Sequence, residues 1–428
     1  VENLLISLFN DAVAAVHPRA VLPGVLAGAG LSGPVTVVGA GKAVAAMAEV
    51  AEQMLDVTSG VVVTTRGLAA GCACQKIKVL EASHPIPDAS GTAAAVQILD
   101  TVRAVGKYGT IVCLLSGGGS ALMSLPVAGV SLRDIADVIR QMIAAGASIQ
   151  DINCVRRHLS AVKGGRLAAA AGRARLLTFA ISDVVGDDPA VIASGPTVGD
   201  STSLVDAREA LNRSRVVVPR AVAVALTDPA NETPFPRDPC FHNSTFTLVA
   251  TGDDALAAAQ QAAGRAGFDV INLGASVVGN SRDAAIAHAK LVRELRHAGR
   301  RCLILSGGET TSRTGLVAGI GGSNTEFLLA LAIELNDMSD VWALAADTDG
   351  IDGTGDQAGA WFDPGMMARA ARGDLSGIAS GLAADAAVDP RHYLESSNSA
   401  TFFKQMNSLL VTGPTGTNVN DFRAIVVG

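Results

Sequence analysis

At 428 residues the chain is too long for one ordinary domain and has room for about two or three. With 49% hydrophobic and 17% charged residues it can bury a large core, which excludes a disordered chain. Its formal net charge of −7 excludes a non-specific nucleic-acid binder, which needs a basic surface to displace counterions from phosphates; a small anionic substrate needs only local positive charge.

The chain starts VENLLISLFNDAVAAV, a short amphipathic pattern with acidic residues and no basic leader, so no secretory signal is expected. No apolar run reaches the roughly 18 residues a membrane helix needs. Aromatics are only 4%, so the core must come from Ala, Val, Leu and Ile with close helix–sheet packing. Cysteines 72, 74, 113, 154, 240 and 302 lack zinc-site spacing, and Cys113 and Cys302 sit in apolar runs. Free thiols in a reducing, cytoplasmic compartment are expected, and the Asn243 N-x-S/T triplet then has no meaning.

One unit recurs along the chain: an apolar β-rich run, a polar glycine-rich turn, then an alanine-rich helical pattern. Val35–Val38 leads into Gly39-Ala40-Gly41-Lys42 and a helix over Ala43–Leu55. Thr110–Leu115 leads into Ser116-Gly117-Gly118-Gly119-Ser120, and Leu176–Ile181 into Ser182-Asp183-Val184-Val185-Gly186-Asp187-Asp188. Thr245–Ala250, Arg301–Leu305 and Asp340–Ala345 follow the same plan. Fully apolar strands separated by helices predict an α/β fold with mostly parallel sheet covered on both faces. Ligands in such sheets bind beyond the carboxyl ends of the strands, where these turns lie. Thr227–Asn243, with four prolines, interrupts the periodicity and predicts two domains, 1–236 and 237–428.

The turns differ in what they offer. Gly39 and Gly41 open a helix whose first N–H groups favour an anion, and Lys42 adds a mobile charge. The turn fits neither a Walker A loop nor a full dinucleotide fingerprint, because Val44 stands where the last glycine belongs. A tight turn with a solvated lysine is the plainer alternative. Ser116, Gly117, Gly118, Gly119 and Ser120 let backbone approach a phosphate closely and add two hydroxyls. Asn153–Arg166 packs Arg156, Arg157, His158, Lys163 and Arg166 into an otherwise acidic chain. Arg156 and Lys163 are seven apart, so one helical face could present both as a clamp for a carboxylate; the alternative is a solvated basic face. His158 reads better as a structural hydrogen-bonder than as a base.

Asp183 and Asp188 could hold Mg²⁺, which takes one or two carboxylates plus phosphates; Asp187 or Asp188 could instead cap a turn. Asp347-Thr348-Asp349-Gly350-Ile351-Asp352-Gly353 is too short for an EF-hand and fits a phosphate–metal role or an Asx turn. Together these features list what phosphoryl transfer needs, namely positioning and charge neutralisation.

The segments GAGKA, LLSGGGSALM, VRRHLSAVKGGRLA, ISDVVGDDPAVIASGPT, LSGGETT, GGSNTEFLLALA and TDGIDG resemble the MOFRL-type glycerate 2-kinases, also named hydroxypyruvate reductases, through nearly the whole chain. The resemblance implies ATP-dependent phosphorylation of the 2-hydroxyl of D-glycerate with a divalent metal, Mg²⁺. It also implies a Rossmann-like N-terminal domain, a smaller C-terminal α/β domain and an active site in the cleft between them. A small-molecule substrate is implied, and a homo-oligomer is open. Lys42 matches the catalytic lysine and Ser116–Ser120 the loop facing substrate and phosphates. Ser306, Gly307, Gly308, Glu309, Thr310, Asp347 and Asp349 match cleft motifs and are assigned to the nucleotide. The family's G-[RK]-G-G-R-N is here Gly319-Ile320-Gly321-Gly322-Ser323-Asn324, so a catalytic arginine is replaced by Ser323. Ser323 is expected to cap the next helix with Glu326, and Arg313 to supply the lost charge. The alternatives are an NAD(P)-dependent hydroxypyruvate reductase and a hydroxy-acid-binding paralogue with impaired catalysis.

Overall fold

The computed structural model describes residues 1–312, 319–373 and 388–428. They divide into two compact units, 18–249 and 1–17 with 250–428.

The first unit is built on strands β1 (Val35–Ala40), β2 (Val57–Thr65), β3 (Ile77–Ala82), β4 (Thr110–Leu115), β5 (Arg175–Ile181) and β6 (Ser244–Ala250). Their order is β3-β2-β1-β4-β5-β6, with β1 to β5 all parallel. Strands such as VTVVGA and TIVCLL are apolar because both faces are covered. On one face Val38, Ile111 and Cys113 pack against Ala94, Ala95, Ile98 and Val102 of the helix Ala89–Ala104. The chain turns to opposite sides of β1 on its way to β2 and to β4. Outside the carboxyl ends of β1 and β4 lies the switch point, the place where such sheets bind ligands.

A helical layer joins this unit. The helices Leu132–Ala144, Ile149–His158, Leu204–Ser214 and Arg220–Ala225 share a core of Val138, Met142, Ile152, Val155, Leu204, Leu211 and Val222. The proline-rich Thr227–Asn243 segment does not divide the chain. It wraps this layer: buried Thr233 donates to Asp200 (3.2 Å), whose own N–H donates to the Pro234 carbonyl (2.9 Å). Asp200 also accepts from buried Arg157 (2.8 Å). The expected division at 236/237 therefore moves to 249/250, after β6 has joined the first sheet, and residues 1–17 fall with the second unit.

The second unit holds β7 (Val270–Asn272), β8 (Val277–Asn280), β9 (Cys302–Thr311), β10 (Val341–Asp347), β11 (Gly359–Phe362), β12 (Leu409–Leu410) and β13 (Asp421–Val427). The order is β12-β11-β10-β13-β9-β7, with β8 also on β9. This sheet is mixed, which corrects the expectation of parallel pairing for the Cys302 and Val341 runs. β13 lies between β9 and β10 and is antiparallel to both, so those two strands point the same way without touching. The helices Ser281–His297 and Ser323–Glu334 cover it, burying Val292, Phe327, Leu328 and Leu331.

Candidate active site

The turns after β1 and β4 meet at the switch point. The Lys42 N–H donates to the Gly117 carbonyl (2.8 Å), and the Ala43 N–H donates to Ser116 Oγ (3.0 Å). Ser116 is fully buried, so one of the two expected loop hydroxyls is a structural tie. Gly41 has φ +146°, and a Cβ there would stand 2.1 Å from Ser116 Oγ. Gly41→Ala is expected to destabilise the protein by about 2 kcal/mol through overpacking, read as a shifted urea midpoint. Lys42 itself is half-buried, and its Cγ and the His84 ring both border Gly118, which has φ +80°. The close approach expected at this loop is real: a Cβ on Gly119 would lie 2.9 Å from the Ala40 carbonyl and from Ala193 Cβ.

Ser120 keeps a hydroxyl on the pocket and shares a hydrogen bond with Ser194 Oγ (2.8 Å). Ala193, Ser194 and Gly195 all take left-handed backbone, with φ of 50°, 61° and 61°. Such backbone at Ala and Ser costs energy and persists only where packing enforces it.

Beside this loop lies a pocket of about 560 Å³. Its polar end carries Gly118, Ser120, Ser124, Arg156 and Lys163; its aliphatic wall is Leu132, Ile135, Ile139 and Ile143 of one helix. Arg156 and Lys163 do converge, but not on one helix. The helix ends at His158, and Lys163 sits in the following turn, where its Nζ donates to the Met123 carbonyl (3.0 Å). Burial, with a smaller push from Arg156, brings the Lys163 amine down to about 7. Burial also lowers Arg156, which donates to Asn153 Oδ1 (3.2 Å). The other basic residues of this stretch are structural. Arg157 pairs with Asp200, His158 bridges Cys154 O, Glu232 and Thr233, and Arg166 donates to the Asn231 carbonyl.

Asp183 follows β5 at the same end of the sheet and is half-buried. Asp188 is exposed, and its Oδ1 accepts from the Ala190 N–H (2.9 Å), which is the turn-capping alternative. Among the described residues no group of three or more His, Cys, Asp or Glu could hold a metal.

In the second unit, Ser306–Thr310 do not form a turn. β9 runs on through Thr311 because β13 pairs with residues 302–308 and β8 with 308–311. Ser306 Oγ is engaged by His288 Nε2 (2.9 Å), and Thr310 Oγ1 lies between Asp421 (3.3 Å) and Arg423 (2.9 Å). Both hydroxyls therefore serve a buried network, while Glu309 stays exposed. Gly307 and Gly308 are needed for closeness: a Cβ on Gly308 would fall 2.2 Å from the Val277 carbonyl. Asp347 and Asp349 make successive Asx turns, accepting from the N–H groups of Asp349 (2.9 Å) and Ile351 (2.8 Å).

Ser323 is the first residue of its helix, not the cap, and Glu326 pairs with Arg282 (2.6 Å). The cap comes from outside: buried Asp352 accepts from the N–H groups of Asn324 and Thr325, both at 2.9 Å. Arg313 lies outside the described residues. Sequence reasoning missed His84, the aliphatic wall and the Asp352–Asp421–Arg423 network. Two charges two apart in the apolar run DFRAIVV were the available signal for the last of these.

A switch point with a lysine and a triple-glycine loop, beside a cationic pocket, is the layout of an α/β enzyme that handles phosphate groups. The chain belongs to the MOFRL glycerate kinase family: residues 4–227 match the domain described as Domain of unknown function (DUF4147), and residues 302–421 match the MOFRL family. It is 34% identical over 426 residues to a D-glycerate 2-kinase of Thermotoga maritima, covering 98% of this chain and 97% of that one. It is 42% identical over 434 residues to an Agrobacterium vitis protein provisionally named hydroxypyruvate reductase, covering 100% of this chain and 94% of that one. A crystal structure of glycerate kinase from Thermotoga maritima superposes with a TM-score of 0.87 at 32% identity, covering 100% of this chain and 99% of that one.

Proposed function

We propose that this chain is a glycerate 2-kinase, which moves the γ-phosphoryl group of ATP to the 2-hydroxyl of D-glycerate. The observation that carries the proposal is the meeting of Lys42 with the Ser116–Ser120 loop at the switch point, beside a pocket with a cationic end. Phosphoryl transfer asks a protein mainly for positioning and charge neutralisation. Arg156 holds the acid's carboxylate, the Gly117–Gly119 backbone approaches the phosphates, and the Lys42 ammonium meets the charge that grows on the transferring group. Asp347, Asp349 and the 306–310 strand are assigned to the nucleotide side, where Glu309 is the exposed side chain.

Mg²⁺ belongs to the same proposal. It needs few protein ligands, and Asp183, half-buried at the carboxyl end of β5, would hold it better than exposed, turn-capping Asp188. Bound with ATP, the ion would neutralise phosphate charge. Six free cysteines and the absence of any helix among the described residues able to cross a membrane suit a cytoplasmic enzyme.

The test is ADP release from ATP, Mg²⁺ and D-glycerate, with NADH oxidation by hydroxypyruvate followed in parallel. ADP without NADH oxidation is expected. NADH oxidation without ADP would transfer the proposal to the reductase named among the relatives.

A further inference from the structure

Phosphorylating an alcohol requires its proton to leave as the oxygen–phosphorus bond forms, and a carboxylate often takes it. The first unit's pocket offers none. Its polar side chains are His84, Ser120, Ser124, Arg140, Arg156 and Lys163. Arginines stay protonated and serine hydroxyls are too weak as bases, which leaves His84 and Lys163. Lys163 is 1% exposed and lines the polar end next to Ser120 and Arg156. Its Nζ hydrogen bond goes to the Met123 carbonyl, and no carboxylate offsets its burial.

We propose that Lys163, anchored on the Met123 carbonyl, accepts the proton of the substrate hydroxyl during phosphoryl transfer. This rests on the kinase reading above. A neutral amine donates one N–H to Met123 O and keeps its lone pair for the pocket. As the substrate oxygen bonds to the γ-phosphorus, the O–H electron pair becomes that new bond and the proton passes to Nζ. The bond from the γ-phosphorus to the bridging oxygen breaks, and its pair leaves on ADP. Lys163 returns the proton to water after product release. Arg156 serves both ends of the step, because it attracts the carboxylate and disfavours a second positive charge on its neighbour. His84 and Lys42, both bordering Gly118, and Arg140, also lining the pocket, supply further charge of the same sign whenever they are protonated. Burial and Arg156 together bring the amine to about 7, so an appreciable fraction is neutral at physiological pH.

The experiment is kcat against pH with saturating ATP and D-glycerate, for the wild type, Lys163→Met and Lys163→Arg. The wild-type rate is expected to fall about tenfold per pH unit below about 7, where the amine is protonated. Both variants should lose about 10²- to 10³-fold in kcat, keep KM within about threefold, and lose that acidic limb. Lys163→Met also reports on the fold. The folded amine has a lower pKa than the unfolded one, so the wild type carries its full burial penalty below about 7 and sheds it as pH rises toward 10.5. The melting temperature of Lys163→Met should therefore exceed the wild type's most below pH 7. A variant within about threefold of wild-type kcat, or one that keeps the acidic limb, overturns the proposal and leaves the kinase reading standing. A wild type that forms no ADP sinks both.

Discussion

Lys42→Met is expected to lower kcat for D-glycerate phosphorylation by about 10³-fold, on the scale of losing one preorganised group that meets transition-state charge. The fold should not suffer. Three ties of this turn to its neighbours use the turn's backbone: the Lys42 N–H to Gly117 O, the Ala43 N–H to Ser116 Oγ, and Lys42 O accepting from Thr64 Oγ1 (3.3 Å). All three survive in methionine, whose stem still lies against Gly118. Steady-state kinetics beside a melting curve separates the effects. A kcat within about tenfold of wild type, with an unchanged melting temperature, would remove Lys42 from the chemistry.

Asp352→Ala is expected to cost about 3 kcal/mol of stability in the second unit. The carboxylate takes four hydrogen bonds from the start of the helix Ser323–Glu334: the Asn324 and Thr325 N–H groups, Thr325 Oγ1 (2.8 Å) and Asn324 Nδ2 (3.4 Å). Alanine leaves the two buried N–H groups without an acceptor, each at a cost of about 1–3 kcal/mol softened by local rearrangement, while Asn324 Nδ2 keeps Asp421 (2.6 Å) and Thr325 Oγ1 keeps the Gly322 carbonyl (3.3 Å). Burial raises the Asp352 carboxyl to about 6 against these bonds, and neighbouring Asp421 adds to the rise. The folded state then holds a proton between about 4 and 6 that the unfolded state has released, so wild-type stability falls as pH rises through that window. The deficit of the variant should accordingly be larger at pH 4 than at pH 7. Urea unfolding at the two pH values measures it, and a deficit independent of pH would mean Asp352 does not titrate there.

What each motif does depends on a feature the sequence shows only in part. The apolar strands and the turns that end them were legible, because a strand covered on both faces must be apolar throughout and a turn needs glycine. Lys42 and the Ser116–Ser120 loop stood out for that reason. The basic stretch 153–166 was legible as a cluster but not as a division of labour. Arg157, His158 and Arg166 spend their donors inside the first unit, and only Arg156 and Lys163 reach the pocket. The LSGGETT run looked like a second glycine loop. It is a strand, because β8 and β13 claim its backbone from either side.

By itself, then, the sequence determined the α/β class, the switch-point turns and the family, since these follow from local pattern and from residues fixed at short spacing. Tertiary structure alone decided the mixed pairing of the second sheet, the 249/250 division, the capping of Ser323–Glu334 by an aspartate 28 residues away, and the pocket that joins Arg156 to Lys163. Each depends on partners distant in the chain, and hydrogen-bond acceptance and burial are properties of neighbours in space that no local spacing encodes.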